Sequence, residues 1–432
     1  MKLKSLPEDF RVEEISDVQP SRGPFSLYRL DKMGLGTPEA IQYILHTWQL
    51  KRNDLNYGGM KDRHADTTQY LTIFQGPKSG MSDKSFQLTY LGQCPRPFHA
   101  KNIVGNRFDI CLRRIDAEER NRLDQRCQWI AKSGIVNYFD DQRFGSIGHS
   151  GDLIGVAWCL CDYERALYLA LAEPNPHDRP REKEQKQILR DYWGDWNKCK
   201  AMLDRSHRRS VVTYLCDHAT DFKRALALVR QDLRGIYISA FQSFVWNRWL
   251  SDLIQSHSEP TETEFIESKC GPLAIPLNAA KVTINAVPVQ RLQLPLPSAR
   301  QHTWPEGSLP TLEKLLTRWN LDVRQLRLKY PRDTFFSRGD RSAWLWPKGF
   351  ASEWATDPLN PGYDRLRIQF ELPRGAYATM VVRYLFQESS MVESLMENET
   401  DELESENIEA PPRVETESER SIEPNEPRSN ES

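Results

Sequence analysis

Over the first third of the chain, apolar and polar positions alternate with the period of strands. In FRVEEI, Phe10, Val12 and Ile15 point toward a core, and FSLYRL continues as a second strand. TQYLTIF, FQLTYL and RFDICLR repeat the pattern. Two helices interrupt it. Thr37 is a candidate N-cap, Pro38 suits a first helical position and Glu39 a first turn, ahead of an apolar stripe through Ile41, Ile44, Leu45 and Trp48. A second stripe through Leu123, Cys127 and Ile130 stops near Gly134.

The rhythm then lengthens. The stretches EKEQKQILRDYWGDWNKCKAML, DFKRALALVRQDL, SAFQSFVWNRWLSDLIQ and TLEKLLTRWNL all carry helical periodicity. Residues 260–305, with several prolines, suit short strands and loops. Near the end the strand pattern returns: Leu366, Ile368, Phe370 and Leu372 alternate with Arg365, Arg367, Gln369 and Glu371. LPRGAYAT reads as a turn and TMVVRYLF as a closing helix. The simplest account is one α+β domain built from both ends of the chain and interrupted by a largely helical insertion, with no internal repeat.

Composition narrows the class. With 39% hydrophobic residues and twelve Trp among 432, a substantial core is expected, which excludes collagen-like and fully disordered chains. No apolar run could span a bilayer, and MKLKSLPEDF lacks the apolar centre of a signal peptide, so a cytoplasmic protein without membrane contact is expected. The eight Cys include no C-x-x-C pair, as expected of reduced thiols rather than a zinc site. Charge is unevenly spread. Residues 391–432 carry a net −11 and few apolar side chains, as expected of a disordered acidic tail, while residues 1–390 carry a net +9. A moderately basic body suits a polyanionic partner.

Two polar clusters could carry chemistry. In the run from Tyr57 to Gln69, Gly58 and Gly59 permit a sharp turn, and Lys61-Asp62-Arg63 follows. An acid between two cations is held ionised, fit to act as nucleophile or base. The spacing is not that of a phosphate-binding loop. In the run from Asn137 to Gly145, an amide, aromatic rings and Arg143 could bond a base edge, stack on its face and hold a phosphate. Asp140-Asp141 has no accompanying metal ligands, so it reads as a solvated turn.

Three spaced patterns then coincide. Gly59-x-Lys61-Asp62-Arg63-x-Ala65-x-Thr67-x-Gln69 resembles the catalytic signature of the TruD family of tRNA pseudouridine synthases. Asn137-Tyr138-Phe139 with Gln142-Arg143-Phe144-Gly145 resembles that family's second motif, and Leu372-Pro373-x-Gly375-x-Tyr377-Ala378-Thr379 its third. Pro7-Glu8-Asp9-Phe10-x-Val12-x-Glu14 is similar to its opening strand, and Phe241-Gln242-Ser243 with Asn247 to a piece of its extra domain. Asp140, Ala376, Trp246 and Tyr384 depart from the family's usual residues.

The resemblance implies a pseudouridine-synthase-like catalytic domain with a mixed, mostly antiparallel sheet. It would comprise residues 1–149 and 336–390, with an α+β insertion domain at 150–335 and the tail at 391–432. It implies Asp62 as catalytic carboxylate, Phe10, Asn137, Phe139 and Tyr377 as contacts to the target uridine, and Lys4 as the cation paired with the catalytic acid; Lys61 and Arg143 are supporting candidates. The implied reaction is isomerisation of uridine 13 of tRNA with no cofactor and no metal. The implied protein is a monomer with tRNA as its partner and no obligate protein partner. Breaking N1–C1′ and joining C5 to C1′ leaves three routes open to the carboxylate: attack at the ring, attack at the sugar, or proton abstraction. The target must leave its stack, at a cost of a few kcal/mol that aromatic walls and edge contacts offset. A non-catalytic RNA-binding or RNA-chaperone protein on the same scaffold is the alternative. A hydrolytic nuclease would need metal ligands or a His pair that the motifs lack.

Overall fold

The computed structural model describes residues 5–386, so Lys4 and the acidic segment 391–432 lie outside it. The chain opens with strands β1 (Phe10–Ser16) and β2 (Phe25–Met33), helix α1 (Thr37–Thr47), and strands β3 (Leu55–Tyr57), β4 (Asp66–Phe74), β5 (Met81–Ser82), β6 (Phe86–Cys94) and β7 (Ile103–Ile115). Helix α2 (Ala117–Ser133) and β8 (Ile135–Val136) follow. Seven helices come next: α3 (Ile154–Cys159), α4 (Tyr163–Leu171), α5 (Pro180–Asp191), α6 (Trp196–Met202), α7 (His207–Asp217), α8 (Phe222–Leu228) and the long α9 (Gln231–Ser256). Short strands β9 (Thr263–Ile266), β10 (Leu273–Pro276), β11 (Thr283–Ile284), β12 (Val287–Pro288) and β13 (Gln293–Pro295) precede α10 (Leu309–Leu316). The chain closes with β14 (Asp340–Ser342), β15 (Trp344–Leu345), β16 (Lys348–Thr356), β17 (Asp364–Pro373) and α11 (Ala378–Phe386).

Both ends of the chain build one sheet, in the order β16-β17-β7-β1-β4-β2-β6-β5 with β3 beside β4. Among the described residues its only parallel pair is β1 with β4, where Arg11 faces Asp66. Register gives the sheet two unlike faces. Phe10, Ile110 and Ile368 form one row, and Val12, Phe108 and Phe370 the next. The opposite face alternates charge: Arg107 bonds both Glu13 and Glu371, and Arg367 bonds Asp109. Leu366, Ile368, Phe370 and Leu372 are each 2% exposed or less, and such burial contributes about 1.5–3 kcal/mol per side chain. Exposed ion pairs contribute about 0–1 kcal/mol each, so the apolar face fixes how β17 docks.

That apolar face is continuous with the middle of the chain, since Phe10, Ile110, Phe139, Trp246, Leu294 and Phe370 belong to one buried cluster. The chain enters and leaves the middle segment through small ribbons: β8 pairs with β15, and β13 with β14.

Three expectations change in detail. The stretch from Glu182 to Leu203 is two helices, because Gly194 takes φ 97° and Asp195 restarts the helix by accepting the Lys198 N–H. Gly36 rather than Thr37 is the N-cap of α1; the Thr37 hydroxyl is committed to Gln69 and to the Lys61 N–H. The Asp140–Asp141 turn is not solvated. Asp140 is fully buried, caps the following turn through the Gln142 N–H, and lies 3.6 Å from Arg383, which also bonds Asp141 at 2.7 Å. An arginine reaching in from α11 supplies the counter-charge that allows the burial. Burial pushes the Asp140 carboxyl up, against the pull of Arg383. Among the described residues, no helix is long and apolar enough to cross a membrane.

Candidate active site

The turn between β3 and β4 is fixed through its main chain. The buried Lys32 ammonium donates to the carbonyls of Leu35, Lys61 and Asp62 at 2.6, 3.2 and 2.8 Å. Thr37 holds the Lys61 N–H at 3.0 Å, and Gln69 donates to the Gly59 carbonyl at 3.3 Å. Asp62 Oδ1 accepts the His64 N–H at 2.8 Å, closing a local turn that leaves the carboxyl half-exposed. The bonds from Lys32, Thr37 and Gln69 hold the main chain of the turn that carries Asp62.

The two neighbouring cations do not flank Asp62 as their adjacency suggests. Lys61 reaches the apolar face of the sheet, 3.4 Å from Glu14 and within hydrogen-bond distance of Asn106, while Arg63 pairs with Glu39 at 3.0 Å. Successive side chains in a turn diverge, and the buried Glu14 carboxylate is the stronger claim on Lys61. Burial pushes the Glu14 carboxyl up and the Lys61 ammonium down, and their mutual attraction opposes both shifts. The turn is thereby tied across β1 and β7. Asn106 lies opposite both Glu14 and Leu372, and five residues after Leu372 comes Tyr377.

Asn137, Phe139 and Tyr377 converge around a residue the sequence did not single out. Arg341, on β14, donates to the Asn137 carbonyl at 2.9 Å, to Asn137 Oδ1 at 2.7 Å and to the Gly375 carbonyl at 2.8 Å. Its guanidinium lies 4.0 Å from the Phe139 ring centre and 5.3 Å from that of Trp246. Burial pushes Arg341 down to about 10, so it is a cation at neutral pH. The Phe139 and Tyr377 rings meet edge to face at 6.3 Å. Burial raises the Tyr377 phenol, against the attraction of Arg143 and Arg341. Asn137 also donates to the Ser342 carbonyl at 2.9 Å, leaving one N–H and one lone pair of its amide for a ligand.

Phe10 lies in the same buried cluster and packs 6.4 Å from Phe108. Arg143 lies 6.0 Å from the Phe139 ring centre and 3.4 Å from the Ser243 hydroxyl. From α9, Asn247 bonds the Phe139 main chain, and Gln242 bonds the carbonyls of Pro297 and Ser337. Among the described residues, no group of three His, Cys, Asp or Glu side chains is arranged to hold a metal ion.

The geometry is that of a fixed, half-exposed carboxylate on a sheet whose apolar face leads to an aromatic and amide cluster held by a cation. Residues 1–385 match the family model described as tRNA pseudouridine synthase D (TruD). The chain is 26% identical over 399 residues to a probable tRNA pseudouridine synthase D 1 of Methanococcus maripaludis, covering 89% of this chain and 99% of that one. It is 29% identical over 397 residues to a tRNA pseudouridine synthase D of Leptospira interrogans serovar copenhageni, covering 89% and 95%. Its fold is similar to the crystal structure of the putative tRNA pseudouridine synthase D from Methanosarcina mazei, at a TM-score of 0.70 and 23% identity over 90% of this chain and 94% of that one. The protein is thus an isomerase that converts uridine to pseudouridine. The chain belongs to the tRNA pseudouridine synthase D (TruD) family.

Proposed function

We propose that this protein isomerises uridine 13 of tRNA, with Asp62 as catalytic carboxylate and the target base flipped into a pocket walled by Phe10, Phe139 and Tyr377. The observation that carries the reading is the convergence of Asn137, Phe139 and Tyr377 on Arg341, although these residues lie more than 200 positions apart at the extremes. Aromatic rings beside a half-satisfied amide suit a flipped pyrimidine: the rings offset lost stacking, and the amide offers one donor and one acceptor to the base edge. Arg143 and Arg341 supply positive charge where the flanking phosphates would pass.

The reaction is an internal rearrangement. N1–C1′ breaks, C5–C1′ forms, C5 loses its proton and N1 gains one, so the balance requires no redox or group-transfer cofactor. Asp62 needs only to be ionised and rigidly held, and the main-chain bonds to Lys32, Thr37 and His64 support that role. We further propose that residues 150–335 form an insertion domain whose α9 braces the pocket through Asn247, that residues 1–149 and 336–390 form the catalytic domain, and that the protein acts as a cytoplasmic monomer on tRNA.

The test is Asp62→Asn, assayed by pseudouridine mapping of an unmodified tRNA transcript. The Asn side-chain oxygen can still accept the His64 N–H, so the turn and tRNA binding persist while pseudouridine formation is lost. Turnover by this variant would overturn the assignment. A wild-type protein that binds tRNA and forms no pseudouridine would favour the RNA-chaperone alternative.

A further inference from the structure

A second concave site lies beyond the end of the β13–β14 ribbon, in the segment between those strands. It is a cavity of about 440 Å³ rimmed by Arg300, Arg327, Lys329, Arg332 and Phe335, with the buried Ser298 at its base. All four cations are exposed, and among the described residues none has an ion-pair partner. The acid beside them, Asp333, is already engaged, since Arg234 holds it at 2.7 Å. Four like charges around one cavity repel one another, and among the described residues no ion pair offsets that repulsion; a polyanion would.

The rim also carries an aromatic ring that the fold does not use. Phe335 is 63% exposed, whereas its neighbour Phe336 is 4% exposed and packs into the core. Cations beside an exposed ring form the combination that holds a nucleotide: phosphates meet the cations, and an unpaired base stacks on the ring.

Position links this cavity to the active site. Phe336 lines the cavity, and Arg341, five residues later, holds Asn137 and Gly375. Five residues span at most about 18 Å. Gln242 of α9 ties the intervening Ser337 to Pro297, so the cavity and the pocket share one brace.

We propose that this cavity is a nucleotide-binding subsite for an unpaired tRNA segment flanking the target, with its cations on backbone phosphates and Phe335 stacked on a base. The proposal deepens the reading given above and rests on it. Because Arg327, Lys329 and Phe335 are exposed, their substitution should leave folding intact. The experiment compares the full-length protein with Arg327→Gln/Lys329→Gln and with Phe335→Ala, measuring affinity for an unmodified tRNA transcript across a salt series. The double variant should bind more weakly at low salt, and its slope of log affinity against log salt should be shallower by about 1.4–1.8, the contribution of two phosphate contacts. Phe335→Ala should bind roughly fivefold to a hundredfold more weakly with an unchanged slope. In both variants kcat at saturating tRNA should hold and KM rise. Affinities equal to wild type, or a weakened double variant with an unchanged slope, would overturn the subsite. A wild-type protein inactive on tRNA would instead count against the proposed reaction, which the binding measurements do not depend on.

Discussion

Asn247 grips Phe139 by its main chain alone: Oδ1 accepts the Phe139 N–H and Nδ2 donates to its carbonyl, each at 2.8 Å. An amide side chain thus takes the place of a neighbouring strand, in a region where Phe139 is 8% exposed and Asn247 fully buried.

Asn247→Ala should therefore be costly. It leaves a buried donor and a buried acceptor unpaired, at about 1–3 kcal/mol each. We expect a loss of about 2–4 kcal/mol in urea unfolding, with reduced pseudouridine formation in the variant that remains folded. Asn247→Asp keeps the acceptor, loses the donor and should recover part of the stability.

Glu14 and Lys61 form a buried pair, so breaking it from one side should cost more than removing it whole. Glu14→Gln keeps an oxygen for the Tyr70 N–H but strands the ammonium, and should destabilise by about 3 kcal/mol. Glu14→Gln/Lys61→Met should recover most of that loss. The pH dependence has a definite sign. Burial raises the folded Glu14 carboxyl above its ordinary 4.5, so within that window the folded chain keeps a proton that the unfolded chain has released. This group's contribution to stability therefore falls as pH rises through the window, and Glu14→Gln should remove that part of the slope. Denaturant midpoints of wild type and Glu14→Gln, compared from pH 4.5 upward, would check it.

Arg341 should resist conservative replacement. A lysine cannot meet the Asn137 carbonyl, Asn137 Oδ1 and the Gly375 carbonyl in one plane. Losing two bonds from a charged donor, at about 1.5–3 kcal/mol each, should lower kcat/KM on tRNA by at least about a hundredfold in Arg341→Lys. Single-turnover pseudouridine formation would measure it. A variant of near wild-type activity would remove Arg341 from the pocket's support.

Removing residues 391–432 should leave the fold intact and should not weaken tRNA binding. The segment carries a net −11, which opposes a phosphate ligand. Truncation should tighten binding most at low salt, where the Debye length is about 30 Å at 0.01 M against about 8 Å at 0.15 M. A truncated protein that aggregates, or binds more weakly at every salt concentration, would contradict this.

What the sequence displayed depended on whether a contact leaves a trace in residue type. Leu366, Ile368, Phe370 and Leu372 announce β17 because one face is apolar and the other charged. Helices α3 and α4 are harder to read because they span only six and nine residues, too few turns for an apolar stripe to repeat. In the site, Asn137, Phe139 and Tyr377 were marked by motif spacing. Arg341 was not, because its partners are mainly carbonyls, which every residue has, and it sits on a three-residue strand with no period to read. Lys61 and Arg63 misled in the other direction: adjacency to Asp62 suggested partnership, and the turn sends both elsewhere.

The sheet order has a consequence for how this chain is made. β7 lies between β1 and β17, so one edge is satisfied early and the other waits for a strand about 250 residues downstream. At about 5–20 residues per second, a ribosome needs on the order of 10–50 s to deliver it. Throughout that interval a 13-residue strand offers open N–H and carbonyl groups to any passing chain. Newborn copies on one message are the nearest such chains, so slow or crowded synthesis, rather than heating of the finished protein, is where this molecule is most exposed to aggregation.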